Sequence, residues 1–474
     1  MRLLFAATLA LHGCDQDCVG VGCLERFSAA SADLHLGSEL PRSGTHSPTE
    51  AAGTIQGTTA LGADWDVSIV RDNLIIGSRL DSTVRVYNPI LGEVGAEQDA
   101  TGAMVGEHTT DAFGHRVRTI TNVDGGLDLL VTAPLLSTTA AIRHVGAVYR
   151  FTDLGAGWEG GIDPSSAALR MQGEGAGGQF GAAVEVCPDM DGDGVEEWVA
   201  SATRDGSTSR LGGQVVLARS SDLDGQAVQL GVSALDTRWN GVDLGGLAGH
   251  ALNCREDLDG DGTADLVVGS PFADTSDEVD AVGAVYVLSG ASPPSAGDLP
   301  EAATLSLQLG EANDWFGWSV AAGDMDDDGL AELIVGAPGA EGAAGRVTIW
   351  SGVQLRDGTL DSPRLTIEGD AESGRFGWTV HLADINGDGK ADLIVGAPYA
   401  NPTDEDQAFN AGQISIFFGG RSFDEWPESP TAGNGSLIYT EAEQYLRSGR
   451  AIFSGDFDGD EAADLIFIHR IEGT

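Results

Sequence analysis

One acidic loop followed by a short apolar strand returns along this chain, and that return restricts the fold more than any other feature. Four segments align: FGAAVEVCPDMDGDGVEEWVASA (180–202), LAGHALNCREDLDGDGTADLVVGSP (247–271), FGWSVAAGDMDDDGLAELIVGAP (316–338) and FGWTVHLADINGDGKADLIVGAP (376–398). RSGRAIFSGDFDGDEAADLIFIH (447–469) keeps the loop, FGHRVRTITNVDGGLDLLVTAP (113–134) keeps the ends of the segment but loses part of the loop, and ADWDVSIVRDNLIIGS (63–78) keeps the apolar run and the trailing Gly-Ser. The last acidic positions of the loops, from Asp128 to Asp464, follow one another at intervals of 60 to 72 residues. Self-similarity at such a period marks a repeat architecture, and missing it would misread the whole fold.

Between loops come a Gly-led run such as GAVYVLSG (283–290) or GRVTIW (345–350), then an alternating run such as TLSLQLG (304–310) or RLTIEG (364–369). Runs of this length and period read as strands, four to a unit. The 68 glycines and the 6% of aromatics suit short strands joined by tight turns. A lone four-stranded sheet cannot bury both faces, whereas radial stacking does. The expectation is an all-β, seven-bladed β-propeller of four-stranded antiparallel blades, with the acidic loop between the first and second strands of each. The last unit ends after its second strand, so SADLHLG (31–37) and GTIQG (53–57) are expected to supply the missing outer strands. The boundaries read as an export signal over 1–14, a Cys-containing tail over 15–30 and the propeller over 31–474.

The loop DMDGDGVEE (189–197) carries carboxylates at positions 1, 3, 5 and 9, with Gly at 4 and 6. Alternate positions of a tight loop converge, so Asp189, Asp191, Asp193 and Glu197 form a candidate site. Several hard oxygens in flexible geometry suit Ca²⁺ better than Mg²⁺, which dehydrates reluctantly. The same set recurs as Asp257, Asp259, Asp261 and Asp265; as Asp324, Asp326, Asp328 and Glu332; as Asp384, Asn386, Asp388 and Asp392; and as Asp456, Asp458, Asp460 and Asp464. About five Ca²⁺ sites are expected, the last weakened by Glu461 in place of Gly. In the second unit Ile120 stands at position 1 and only Asn122, Asp124 and Asp128 remain, so weak binding or none is expected. An Asp-Gly run alone is often just a turn; register across five copies favours metal. An EF-hand is excluded, since its loop is longer and flanked by helices.

The pattern FG…D-x-D-G-D-G-x-x-D-L-x-V-G-A-P resembles the FG-GAP repeat of integrin α-subunits and their bacterial relatives, over roughly residues 60–470. The resemblance implies a seven-bladed propeller with Ca²⁺ in the loop between a blade's first two strands. It also implies adhesion, or protein or glycan binding, although a fold does not fix a function.

The N-terminus reads as an export signal: Arg2, an apolar run from Leu3 to Leu11, then His12-Gly13-Cys14. Leu11-His12-Gly13-Cys14 resembles the bacterial lipobox, with His12 a departure, which makes Cys14 the lipidation candidate; a plain secretory signal is the alternative. In an exported chain the other four cysteines suggest disulfides, Cys18 with Cys23 and Cys187 with Cys254. The 73 acidic against 25 basic residues, a net charge of -48, argue against nucleic acid or an anionic membrane surface as partner.

The leading expectation is a non-catalytic binding or adhesion module for a protein or glycan, exported to the cell envelope or surface and touching membrane only through a lipid anchor. A hydrolase or lyase working in the central channel is the alternative, as is a structural envelope protein. No G-x-S-x-G, HExxH or P-loop occurs. His250 and His381 fall on expected innermost strands but read as packing residues. Asp205-Gly206-Ser207-Thr208-Ser209 reads as a turn, and Trp315, Trp318 and Trp378 are expected to pack between blades.

Overall fold

The computed structural model describes residues 4–9, 32–36, 44–46, 65–70, 73–87, 100, 102–138, 143–152, 160–206, 209–223, 229–274, 281–401, 410–440, 447–455 and 463–469. Hairpin follows hairpin, and each set of strands makes one sheet. The fifth blade shows the plan: Ser319–Gly323 pairs with Glu332–Ala337, then Arg346–Trp350, then Leu365–Glu368, all antiparallel. The sixth repeats it with Thr379–Ala383, Asp392–Ala397, Gln413–Phe417 and Leu437–Thr440. The expected strands at 283–290, 304–310, 345–350 and 364–369 are Ala284–Leu288, Leu305–Leu307, Arg346–Trp350 and Leu365–Glu368. The second strand of each blade is apolar almost throughout because sheets cover both of its faces; Glu332–Ala337 and Asp392–Ala397 are buried at every residue.

Six blades, not the seven expected, are four-stranded and antiparallel. After the sixth, the C-terminal hairpin Ala451–Gly455 with Asp464–His469 stands between the sixth blade and the first. Among the described residues no further antiparallel strand of the repeat flanks it. Its outer side is taken in parallel by Leu4–Leu9, within the run read as an export signal, and Leu4–Leu9 in turn pairs with Ala32–Leu36. Ala32–Leu36 therefore reaches the last sheet, though as its outermost strand. The other expected closing segment, 53–57, lies outside the described residues.

Neighbouring blades meet through the Phe-Gly motif. Phe113, Phe180, Phe316 and Phe376 are fully buried. Phe316 and Phe376 bridge to Gly283 and Gly345, which open the third strand of the preceding blade. Both glycines have positive φ, and a Cβ on either would lie 2.1 Å from the phenylalanine carbonyl oxygen. The Gly-led third strand is thus a contact requirement between blades. Cys187 and Cys254 form a disulfide between the third and fourth blades, with Cα atoms 5.1 Å apart. Cys14, Cys18 and Cys23 lie outside the described residues. Among the described residues no helix is long and apolar enough to cross a membrane.

Candidate metal loops and the central channel

In the third to sixth blades the acidic loop leaves the end of an innermost strand and closes on its own first carboxylate. Asp189 accepts from the backbone N–H groups of Gly192 (2.7 Å) and Gly194 (2.8 Å). Asp257 does the same from Gly260 and Gly262, and Asp384 from Gly387 and Gly389, all at 2.6 to 2.7 Å. Asp324 accepts from Asp327 and Gly329. The ninth residue opens the second strand, and its buried carboxylate reaches back under the loop. Glu197 accepts from Met190 N–H at 2.6 Å, Asp265 from Leu258 at 2.8 Å, Glu332 from Met325 at 2.8 Å and Asp392 from Ile385 at 2.9 Å.

This brings most of the expected ligands together. Oxygens of Asp189, Asp191, Asp193 and Glu197 all lie within 4.8 Å of one another, as do those of Asp257, Asp259 and Asp265, and of Asp324, Asp326 and Glu332. Asp261 and Asp328 stand outside those clusters. Asp261 accepts from Ser289 Oγ at 3.1 Å and from Thr263 N–H, and Asp328 from Leu330 N–H. In the sixth blade Asn386 donates its amide to both oxygens of Asp392, at 3.2 and 3.3 Å, while Asp388 accepts from Lys390 N–H. Asp456, Asp458 and Asp460 lie outside the described residues, as does the side chain of Asp464.

Burial makes these carboxyls poor anions. Desolvation, with Asp191, Asp189 and Asp193 adding to it, pushes Glu197 up to about 7. Burial likewise lifts Glu332 to about 7 and Asp265 and Asp392 to about 6. Two buried loop oxygens, Glu197 Oε1 and Asp326 Oδ1, have no hydrogen-bond partner among the described residues. A divalent cation would satisfy both and remove the repulsion, so the residues present fit Ca²⁺.

The second blade answers the same problem differently. Asp128, fully buried at the ninth position, accepts from Asn122 Nδ2 at 2.8 Å and pairs with Arg150 Nε at 2.7 Å. By strand register Arg150 occupies the place that Leu217, Val287, Ile349 and Ile416 take in the third to sixth blades. A fixed guanidinium neutralises the carboxylate there. The composition of the loop does not reveal Arg150, since it lies 22 residues downstream. Gly290, Gly352 and Gly419, whose N–H groups support the ninth carboxylates of the fourth to sixth blades, had a signal in the Ser-Gly that ends two of those third strands.

The innermost strands surround a channel. One cavity of about 510 Å³ is lined by His115, Arg116, His250, Trp318, Trp378 and Arg450 among others, and one of about 750 Å³ by Arg118, Arg255 and His381. Burial pushes His250 and His381 down to about 4 and His115 well below its usual value. His381 contacts Ser454 Oγ at 2.6 Å. Trp318 of the fifth blade meets Trp378 of the sixth at 4.6 Å and His250 of the fourth at 4.4 Å, so these rings pack between blades as expected, while both tryptophans also line the channel, half-buried.

Residues 256–288, 316–350 and 376–417 match the FG-GAP repeat family. Three stretches of the chain are thus similar to FG-GAP repeats. It is 31% identical over 153 residues to integrin alpha-5 of Xenopus laevis, covering 32% of this chain and 13% of that protein. It is 33% identical over 176 residues to phosphatidylinositol-glycan-specific phospholipase D of Homo sapiens, covering 36% and 20%. With integrin alpha-PS2 of Drosophila melanogaster it is 36% identical over 177 residues, covering 33% and 11%. The chain thus spans a fifth or less of the length of these relatives.

Proposed function

We propose that this chain is an exported, calcium-loaded FG-GAP propeller that binds a protein or glycan at the cell envelope or surface without catalysis, held to a membrane by a lipid on Cys14 once the signal, with its Leu4–Leu9 strand, has left the C-terminal hairpin. The observation carrying the calcium reading is Glu197: a buried carboxylate facing three aspartates, with one oxygen left without a partner. Asp189, Asp191, Asp193 and Glu197 would hold one ion, and the corresponding residues of the fourth, fifth and sixth blades one each. Asp456, Asp458, Asp460 and Asp464 supply a fifth set by sequence. Bound calcium supplies charge neutralisation, and the chain's own residues hold the loop and hairpin in register. A site held at 100-fold saturation adds about 2.7 kcal/mol by linkage.

The non-catalytic reading rests on the channel histidines. His250 and His381 are desolvated, and their low pKa values suit packing better than acid–base work near neutral pH. An integrin and a phospholipase are each similar to about a third of this chain, which favours a module reused for binding. The test is calorimetric titration of chelator-treated protein with Ca²⁺, beside a melting curve with and without the ion. Saturable binding at about four or five sites and a higher Tm are expected; no heat and an unchanged Tm would overturn the reading.

A further inference from the structure

The second residue of each acidic loop faces two ways. Met190, Leu258, Met325 and Ile385 hold this place in the third to sixth blades, and all four are buried. On its own blade each donates its N–H to the ninth carboxylate: Met190 to Glu197, Leu258 to Asp265, Met325 to Glu332 and Ile385 to Asp392. Its side chain packs in the core shared with the next blade. Met190 shares a core with Leu266, Leu258 with Leu333, Met325 with Leu393 and Ile385 with Leu465. Each of those leucines directly follows the ninth loop residue of its blade. One residue therefore grips the buried carboxylate of one loop and packs at the foot of the next.

Further contacts follow the same path. A Cβ on Gly290 would lie 2.9 Å from Met190 Cε, and Gly290 N–H supports Asp265. Gly420 N–H donates to the Met325 carbonyl at 2.7 Å, beside Gly419, whose N–H supports Asp392. Lys390 of the sixth loop pairs with Asp327 of the fifth. Ala463 N–H, next to Asp464, donates to the Asp384 carbonyl at 2.7 Å. The second blade, whose ninth carboxylate pairs with Arg150, breaks the rule. Thr121 stands at the second position there, and its N–H goes to Glu196 of the third blade, not to Asp128.

We infer that Met190, Leu258, Met325 and Ile385 couple adjacent calcium loops, so that an ion in one blade raises the affinity of the loop in the next. An ion fixes its loop and the N–H that the second residue donates. The apolar side chain then stays seated, since leaving the neighbouring core would expose it to water. The strand that carries the next ninth carboxylate is ordered in advance, and the next ion has less ordering to supply. By linkage the effect runs both ways with the same factor. This inference rests on the reading of the loops as calcium sites and adds how they regulate one another.

The test sits at the junction of the fourth and fifth blades, which the Cys187–Cys254 bridge does not span. The full chain is titrated with Ca²⁺ while hydrogen exchange is followed at Gly262 and Gly329, whose N–H groups close the two loops. Asp259→Asn with Asp261→Asn removes two negative charges and the two positive charges of the lost ion. The empty fourth loop then has the net charge of the loaded one, so charge alone predicts no change in the fifth. Loss of calcium-dependent protection at Gly262 shows that the loop is empty. The Ca²⁺ concentration for half-protection of Gly329 should rise about fivefold or more. In a Leu258→Ala background the same pair of substitutions should leave that midpoint unchanged, and in Leu258→Met, which refills the core, the shift should return. Melting at saturating Ca²⁺ reports the fold, and if Leu258→Ala does not fold, Leu258→Val should show a reduced shift. An unchanged or lower Gly329 midpoint with the fourth loop empty, or a full shift without the Leu258 side chain, would overturn the inference and leave the calcium reading standing. No calcium-dependent protection at Gly262 or Gly329 in the native chain would overturn both.

Discussion

The ninth loop residue meets one electrostatic problem in two ways, and both yield to single substitutions. In the second blade Arg150 is the permanent counter-ion of Asp128. Arg150→Leu, an aliphatic residue as in the third to sixth blades, leaves that carboxylate buried without its counter-ion, and should cost about 3 kcal/mol in denaturant unfolding. The double variant with Asp128→Leu should recover most of it; equal losses in both would refute the pairing argument. In the third blade Glu197 is raised to about 7, so the folded state holds a proton that the unfolded state has lost above about 4.5. Its contribution therefore falls as pH rises through that window in metal-free protein. Buried neutral His250 and His381, pushed down to about 4, work in the opposite direction. A variant isolates the loop from them. Glu197→Gln keeps the acceptor for Met190 and turns an amide toward the aspartates, as Asn386 does toward Asp392 in the sixth blade. In chelator at pH 8 it should raise stability by about 2 kcal/mol, and at pH 5 change it little. With Ca²⁺ it should lower both stability and the number of ions bound. A variant that is less stable in chelator at pH 8 would contradict the assignment.

At the level of strands and loops, contacts between blades explain what local pattern leaves unspoken. The strands were legible because apolar runs of period two bounded by glycine have few other uses, and the loops because five copies stand in register. The reason for the leading glycine was not legible, since Gly345 is required by Phe376, some thirty residues later and on the next blade. Gly345→Ala should cost about 2 kcal/mol or more, by placing a Cβ 2.1 Å from a carbonyl oxygen at a φ of +92°. Urea unfolding checks it, and a loss below about 0.5 kcal/mol would show that the blades can part without cost. Blade edges obey a similar long-range rule. Gly160–Ile162, Gln229–Gly231 and Ala296–Asp298 each lie parallel on the outer edge of the preceding blade, covering backbone groups that would otherwise template association. Gly44–His46 does the same for the sixth blade, arriving from the other end of the chain. Three-residue strands carry too little periodicity to be read in advance. The shortfall from seven blades to six has the same origin, because the partners of the C-terminal hairpin are set by whichever segment reaches its free side.

Across the whole ring, the sites make stability uneven. The first blade passes from Val70 to Asn73 without an acidic loop, and the second carries its own guanidinium. The third to sixth blades each close a hairpin over one buried carboxylate, with exposed or half-buried aspartates in the loop above it. The Cys187–Cys254 bridge joins the third blade to the fourth just ahead of two of these loops, so those two should open as one unit while it is intact. Chelation should therefore act by position. Hydrogen exchange in the described amides of the third to sixth blades should accelerate first, beginning at the N–H groups of Gly194, Gly262, Gly329 and Gly389. Exchange of the Leu127–Ala133 and Asn73–Ser78 strands should keep pace with global unfolding. Reduction of the disulfide in chelator should separate the third and fourth blades into two exchange classes, and in Ca²⁺ it should leave them together. Earlier loss of protection in the first two blades than in the third to sixth would mean that metal does not hold these hairpins, and the asymmetry of the ring would need another cause.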